Sequence, residues 1–285
     1  MRGRVHFRAD HGLTLRMIGA AVGTPLLVVA AVAAVVLIAP WKIVLGIGLA
    51  AVVGIVVTVR DRAHAPEGRE VGPDAAPELH AVVERLCVVA DLPKPRIVVE
   101  NEQQPNSWIV SLGRDHARLH VTSGLLGRLD APELEAVVAH ELAHVAHRDA
   151  TVMTVVGGPG TVLMGGRRLI RFGFFPLQIG ALIATLIGRL SSFGTLALSR
   201  YREFAADAGA VALTGNPAAL ASALMKVSDG VLALPSRDLR EVAARDPFHL
   251  LPVARERGLT ATHPPLQARI ARLERLEQQL QTLRP

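Results

Sequence analysis

The pattern of apolar and polar positions changes period several times along the chain. Two apolar runs, Met17 to Ala39 and Trp41 to Val59, lie near the start and are separated only by a Pro40-Trp41-Lys42 turn. Each reaches about the 20 residues that a helix needs to cross a bilayer, so residues 1–60 are expected to form a transmembrane hairpin. A secretory signal has a shorter apolar core and is not followed at once by a second run. Residues 61–76 are polar and rich in Pro and Gly, the composition of a linker. From Pro77 to Ala90, Leu79, Val82, Val83 and Leu86 recur on one face of an amphipathic helix. Arg96–Glu100, Ser107–Leu112 and Arg118–Thr122 read as short strands, the last two joined into a hairpin by a turn at Gly113–His116. Leu134, Val137, Val138, Leu142 and Val145 then restore the helical period. Asp130 and Glu133 fit a capping box at the start of that helix, and Pro132 is tolerated in its first turn.

Thr151–Gly166 is apolar, short and dense in glycine, but no G-K-[ST] follows and no strand precedes it, so it is not a phosphate loop. Phe172–Leu198 is a longer apolar run interrupted by Arg189. Together they predict a hydrophobic helix pair within 150–198. The connection carries Arg167, Arg168 and Arg171. If both runs span fully, these arginines face outward against the positive-inside bias; a re-entrant pair, or one packed against the domain, avoids that conflict. Ser199 to Thr214 is helical in pattern, Asn216-Pro217 caps a helix over Ala218–Ser228, and 229–261 is loop-rich. Thr262-His263-Pro264-Pro265 opens a last helix whose apolar face is Leu266, Ile270, Leu273 and Leu280. The expected fold is an α+β membrane protein: a mostly helical domain with a small β-sheet (61–149 and 199–285), plus transmembrane helices.

Composition sharpens this picture. Half of the 285 residues are apolar and only 4% are aromatic, the profile of a membrane protein. Much of the net charge of +6 comes from arginines flanking the apolar runs, including Arg2, Arg4, Arg8 and Arg16 on one side and Arg60 and Arg62 on the other. The hairpin turn has Lys42 alone, so positive-inside counting puts the N-terminus and residue 60 onward in the cytoplasm. This placement suits a lipid bilayer with anionic headgroups. No basic stripe interleaved with aromatics is present, and nucleic acid is not an expected partner. The single Cys87 cannot form an intramolecular disulfide, and its apolar neighbours Leu86, Val88 and Val89 make it a buried small residue.

The chemistry concentrates at Ala139–His147, which contains His140-Glu141-x-x-His144 inside the helix predicted from 130 onward. Residues four apart share one helix face, so both imidazoles can point at one ion. Glu141 is then placed to take the proton of a metal-activated water. Without partners, such a cluster amid Ala, Val and Leu would be buried at a cost of several kcal/mol. A catalytic zinc takes three protein ligands. Glu203 and Asp207, four apart in R-E-F-A-A-D, are the best candidates for a third ligand and for a carboxylate that orients a ligand histidine. His147 is the rival ligand, although it lies a turn beyond His144 on the same rigid helix.

These segments resemble the HtpX-type membrane zinc metalloproteases, relatives of the CAAX prenyl protease. The resemblance rests on A-H-E-L-A-H-V-A-H-R-D at 139–149, S-R-Y-R-E-F-A-A-D at 199–207, T-H-P-P-L-Q-A-R-I at 262–270, P-N-S at 105–107 and the order of apolar runs. It implies a gluzincin-like zincin with one Zn2+ on His140, His144 and Glu203, Glu141 as base, and His263 at the active site. It also implies quality control in a bacterial plasma membrane, with damaged or unfolded membrane proteins as substrates. Arg269 is expected to pair with Asp207 and dock the last helix. Asn106 falls in the family's substrate-binding segment, but here Ser107-Trp108 follows where Ala-Phe or similar is usual, so substrate preference is the property that departs. An inactive metal-holding scaffold has no need for Glu141, and a transport or signalling role is supported by the apolar runs alone.

Overall fold

The structure is a computed structural model, and it describes residues 11–63, 70–111, 116–165, 175–232 and 261–283. Most of the turn expected at Gly113–His116, the arginines 167, 168 and 171, and 233–260 of the expected loop region lie outside these residues. The chain divides into two compact units. Among the described residues, one comprises those within 68–151 and 200–285, and the other those within 10–67 and 152–199.

The second unit is helical. It contains α1 (His11–Ile38), α2 (Trp41–Ala63), α6 (Asp149–Gly165) from Val152 onward, and α7 (Phe175–Thr214) as far as Ser199. Thr14–Ile38 and Phe175–Thr214 are long and apolar enough to cross a membrane, and Trp41–Val57 is a shorter apolar helix. Inside the unit, Val28, Ile47, Ala50, Leu163, Ala181 and Ala184 form a buried cluster. Large side chains such as Leu26, Val29, Leu37 and Ile38 are instead exposed outward. That inversion suits lipid, where helices associate by close packing rather than by hiding apolar surface. Close packing is visible at two glycines. A Cβ at Gly54 would lie 1.8 Å from the Val162 carbonyl oxygen, and one at Gly180 would lie 2.3 Å from that of Ile43.

The first unit holds the sheet. α3 (Pro77–Ala90) forms over the residues that the periodicity gives, and ends at Asp91 in the left-handed region, φ 53°. β1 (Arg96–Glu100), β2 (Ser107–Ser111) and β3 (Ala117–Thr122) pair in the order β1-β3-β2, with β1 parallel and β2 antiparallel to β3. The short α4 (Ser123–Leu126), absent from the sequence reading, starts where Thr122 Oγ1 accepts the Leu125 amide at 3.1 Å. α5 (Ala131–Ala146) begins with the expected capping box: Asp130 accepts the Glu133 amide, and Glu133 accepts the Asp130 amide. Glu133 also binds Ser222 and Lys226 on α8 (Pro217–Leu232), tying the two helices together. α9 (Leu266–Leu283) contributes Leu273, Leu276 and Leu280 to a core shared with α3, α5, α8 and the sheet.

Two boundaries differ from the sequence reading. Ser199–Thr214 is not a separate helix but the continuation of the preceding apolar run. No proline interrupts it, and Ser191, Ser192 and Thr195 hydrogen-bond back to carbonyls of their own helix. α8 runs past Ser228 to Leu232, so the first residues assigned to loop are helical.

Candidate metal centre

α5 presents His140 and His144 on one face, as four-residue spacing requires, and α7 brings Glu203 to the same point. One donor atom from each of the three lies within 4.8 Å of the others. The two Nε2 atoms are 3.2 Å apart, and each is 3.6 Å from a Glu203 oxygen. His140 is 1% exposed and Glu203 7%. Two imidazole nitrogens this close need something positive between them, and the buried carboxylate opposite asks for the same.

The far nitrogens are fixed as well. His140 Nδ1 is 3.0 Å from Asp207 Oδ1, and His144 Nδ1 is 2.6 Å from Asp149 Oδ2. Asp149 accepts the His144 Nδ1 hydrogen and Asp207 pairs with His140 at its Nδ1, which leaves both Nε2 atoms facing the centre. The carboxylates are held in turn. Arg269, wholly buried, grips Asp207 through Nε at 2.9 Å and a terminal nitrogen at 2.6 Å, and its other terminal nitrogen lies 3.4 Å from Glu203. Arg202 Nε is 2.9 Å from Asp149 Oδ1.

Electrostatics follow this geometry. Burial, the strongest influence on His140, works to lower its pKa, but hydrogen bonds to Asp207 and Glu203 outweigh it and raise the value to about 9. The same pocket that favours a proton there favours a metal cation in its place. Burial pushes Asp149 up, yet the His144 and Arg202 hydrogen bonds prevail and hold it below the ordinary carboxylate value.

The structure also places the remaining sequence candidates. Glu141 is 4% exposed, and its Oε1 accepts a hydrogen bond from Ser107 Oγ at 2.8 Å. His263 is 5% exposed, with Nε2 4.0 Å from Glu203 Oε1 and Nδ1 2.8 Å from Thr262 Oγ1. Its approach is fixed by Arg200, which donates to the Ala261 carbonyl at 2.8 Å. Asn106 is buried immediately before β2, where its backbone amide donates to Thr122 Oγ1. His147 caps the C-terminal end of α5 and is not part of the three-residue donor set. Burial lowers its pKa.

Three residues of this constellation lie inside the resembling segments, but the sequence reading gave them no role. Asp149 stands five positions after His144, a spacing that matches no helix face. Arg148 makes the approach possible by adopting φ 55°, which turns the chain between α5 and α6. Arg202 and Ser107 meet their partners only through tertiary packing, Arg202 from α7 and Ser107 from β2.

A helix carrying H-E-x-x-H, met by a carboxylate from a second helix in a chain with membrane-length apolar helices, defines a membrane metalloprotease. Comparison with known proteins agrees. The chain matches peptidase family M48 over residues 73–277. A protease HtpX homolog of Moorella thermoacetica is 42% identical over 234 residues, covering 76% of this chain and 77% of that protein. Protease HtpX homolog 1 of Streptomyces coelicolor is 40% identical over 295 residues, 96% of each chain. The crystal structure of S. mikatae Ste24p shares the fold, with a TM-score of 0.54 at 18% identity, covering 93% of this chain and 65% of that one. The chain belongs to peptidase family M48 and is a metalloprotease, a peptide hydrolase.

Proposed function

We propose that the protein is an integral membrane zinc endopeptidase that clears damaged or misfolded membrane proteins from the cytoplasmic side of a bacterial-type plasma membrane. The observation that carries this reading is the convergence of His140, His144 and Glu203 beside Glu141. A tetrahedral zinc with ligands at about 2.0–2.1 Å separates its donor atoms by about 3.3 Å. The 3.2 Å between the two Nε2 atoms fits one edge of that tetrahedron, and each Nε2 lies 3.6 Å from a different Glu203 oxygen, so the carboxylate faces both nitrogens. The donor set of two imidazoles and one carboxylate is also one that zinc accepts in hydrolases, and makes the domain gluzincin-like.

His140, His144 and Glu203 would hold one zinc ion, with Asp207 and Asp149 orienting the histidines. When bound, zinc supplies Lewis-acid polarisation and lowers the pKa of water. Glu141 accepts the proton of the attacking water and returns it to the leaving amine. His263 lies on the Glu203 side of the cluster and donates a hydrogen bond to the oxyanion that develops at the scissile carbonyl. An extended substrate adds alongside β2, the terminal strand of the sheet, near Asn106, a mode that reads backbone more than sequence and suits unfolded chains. Residues 1–60 and 150–198 hold the site at the bilayer, with the N-terminus and both catalytic segments, 61–149 and 199–285, in the cytoplasm, the side favoured by the arginines that flank the first two apolar runs.

The direct test is Glu141→Gln. It retains zinc, measured as metal per protein after dialysis, yet loses cleavage of unfolded casein by several orders of magnitude. Turnover near the wild-type rate would overturn the mechanism.

A further inference from the structure

A general base works only if its carboxylate faces the water, and a glutamate side chain on a helix has several rotamers from which to choose. The buried Arg269 guanidinium lies within electrostatic reach of Glu141, though it is bound to Asp207 and Glu203. What fixes the Glu141 carboxylate is Ser107. It is the first residue of β2, 1% exposed, and its hydroxyl donates to Glu141 Oε1 at 2.8 Å. With Oε1 occupied in this way, Oε2 is the oxygen left to exchange a proton.

The anchor is itself rigid. Thr122, 0% exposed, donates through Oγ1 to the Gln104 carbonyl at 2.7 Å, while the same oxygen accepts the Asn106 amide at 2.9 Å. The Thr122 amide donates to the Asn106 carbonyl at 3.0 Å. The backbone just before Ser107 is therefore bound to the central strand on both sides. In the order β1-β3-β2, β2 is a terminal strand of the sheet, with β3 on one side. That terminal strand is the strand that grips the base.

We propose that Ser107 is a positioning residue for catalysis: its hydroxyl holds the Glu141 carboxylate in its working orientation and ties it to the strand along which a peptide would lie. The inference rests on Glu141 acting as the base. The hydrogen bond persists through turnover, since Oε1 remains an acceptor when Oε2 carries the proton.

The test compares Ser107→Ala, Ser107→Thr and Ser107→Val in the full-length, zinc-loaded, detergent-solubilised protein, with Glu141→Gln alongside. Thr and Val have nearly the same shape and differ by the hydroxyl, so the pair separates hydrogen bonding from packing. The readouts are kcat and KM on a fluorogenic unfolded substrate, the zinc-to-protein ratio and the melting temperature. Ser107→Ala and Ser107→Val are expected to lower kcat about tenfold with KM within about twofold, and Ser107→Thr to recover most of it. Zinc content and melting temperature stay at wild-type values in the Ala and Thr variants. Wild-type kcat in both Ala and Val variants overturns the proposal, as does a rise in KM alone or equal loss in Thr and Val. Active Glu141→Gln protein would instead remove the reading on which the proposal rests, so the two failures are distinguishable.

Discussion

Replacing Arg269 with Met removes the buried guanidinium that contacts both Asp207 and Glu203.

 The guanidinium lies 2.6 and 2.9 Å from the two Asp207 oxygens and 3.4 Å from Glu203, and all three side chains are buried. Arg269→Met therefore leaves two buried carboxylates with the His140 imidazole, which contacts both, to balance them. Breaking a buried pair from one side costs about 3–5 kcal/mol. In a domain of roughly 200 residues, each kcal/mol moves the melting temperature by about 2–4 °C, so a fall of about 6–20 °C is expected. The measurement belongs on metal-free protein in detergent at one fixed scan rate, because a bound cation would itself neutralise the carboxylates and mask part of the loss. A second variant, Arg269→Met with Asp207→Leu, removes both charges and should regain much of the lost stability, since a buried pair is often replaceable by apolar residues. It should still bind zinc about 10–100-fold more weakly, because His140 has lost the carboxylate that orients it. A metal-free Arg269→Met protein melting within about 2 °C of wild type would refute this account of the pair.

Further outcomes follow from other contacts. Asp149→Asn, which weakens the acceptor for His144 and removes the countercharge of Arg202, should reduce zinc affinity about 10–100-fold in a chelator competition, and unchanged affinity would leave Asp149 without a role at the metal. His263→Ala should keep zinc and fold yet lower kcat about 10²–10³-fold; unchanged turnover at saturating substrate would make His263 a loop residue only. Glu133→Ala removes the cap on Asp130 and the bond to Ser222, and should cost about 2–3 kcal/mol at neutral pH. Burial raises the Glu133 pKa, but hydrogen bonds to Lys226, Ser222 and the Asp130 amide outweigh it and bring the value below 4.5. A lowered carboxylate stabilises the fold above its unfolded pKa, so the charge-dependent part of the wild-type advantage is complete above pH 4.5 and is lost as pH falls through the lower folded value. An advantage independent of pH across that window would show that the ionised carboxylate is not what stabilises.

The sequence by itself determined the elements whose causes are local. The period of Leu134 to Val145 and the Asp130–Glu133 capping box are short-range, and α5 forms where they point. The spacing of His140 and His144 is equally local, because helix geometry alone puts them on one face. α3 and the apolar runs of α1 and α7 were legible for the same reason. The order of the sheet was not, since β1 pairs with β3 across the intervening β2 and nothing in a strand's own residues names its neighbour. The continuity of α7 from Phe175 through Glu203 to Thr214 was also hidden, because the change from apolar to amphipathic composition looks like a boundary although no residue breaks the helix. Only tertiary structure brought Asp149 back to His144 through the left-handed turn at Arg148, Arg202 to Asp149, and Ser107 to Glu141. Polar contacts across 5, 53 and 34 residues depend on where whole elements pack, and that packing is decided by the shared core rather than by the sequence around any one partner.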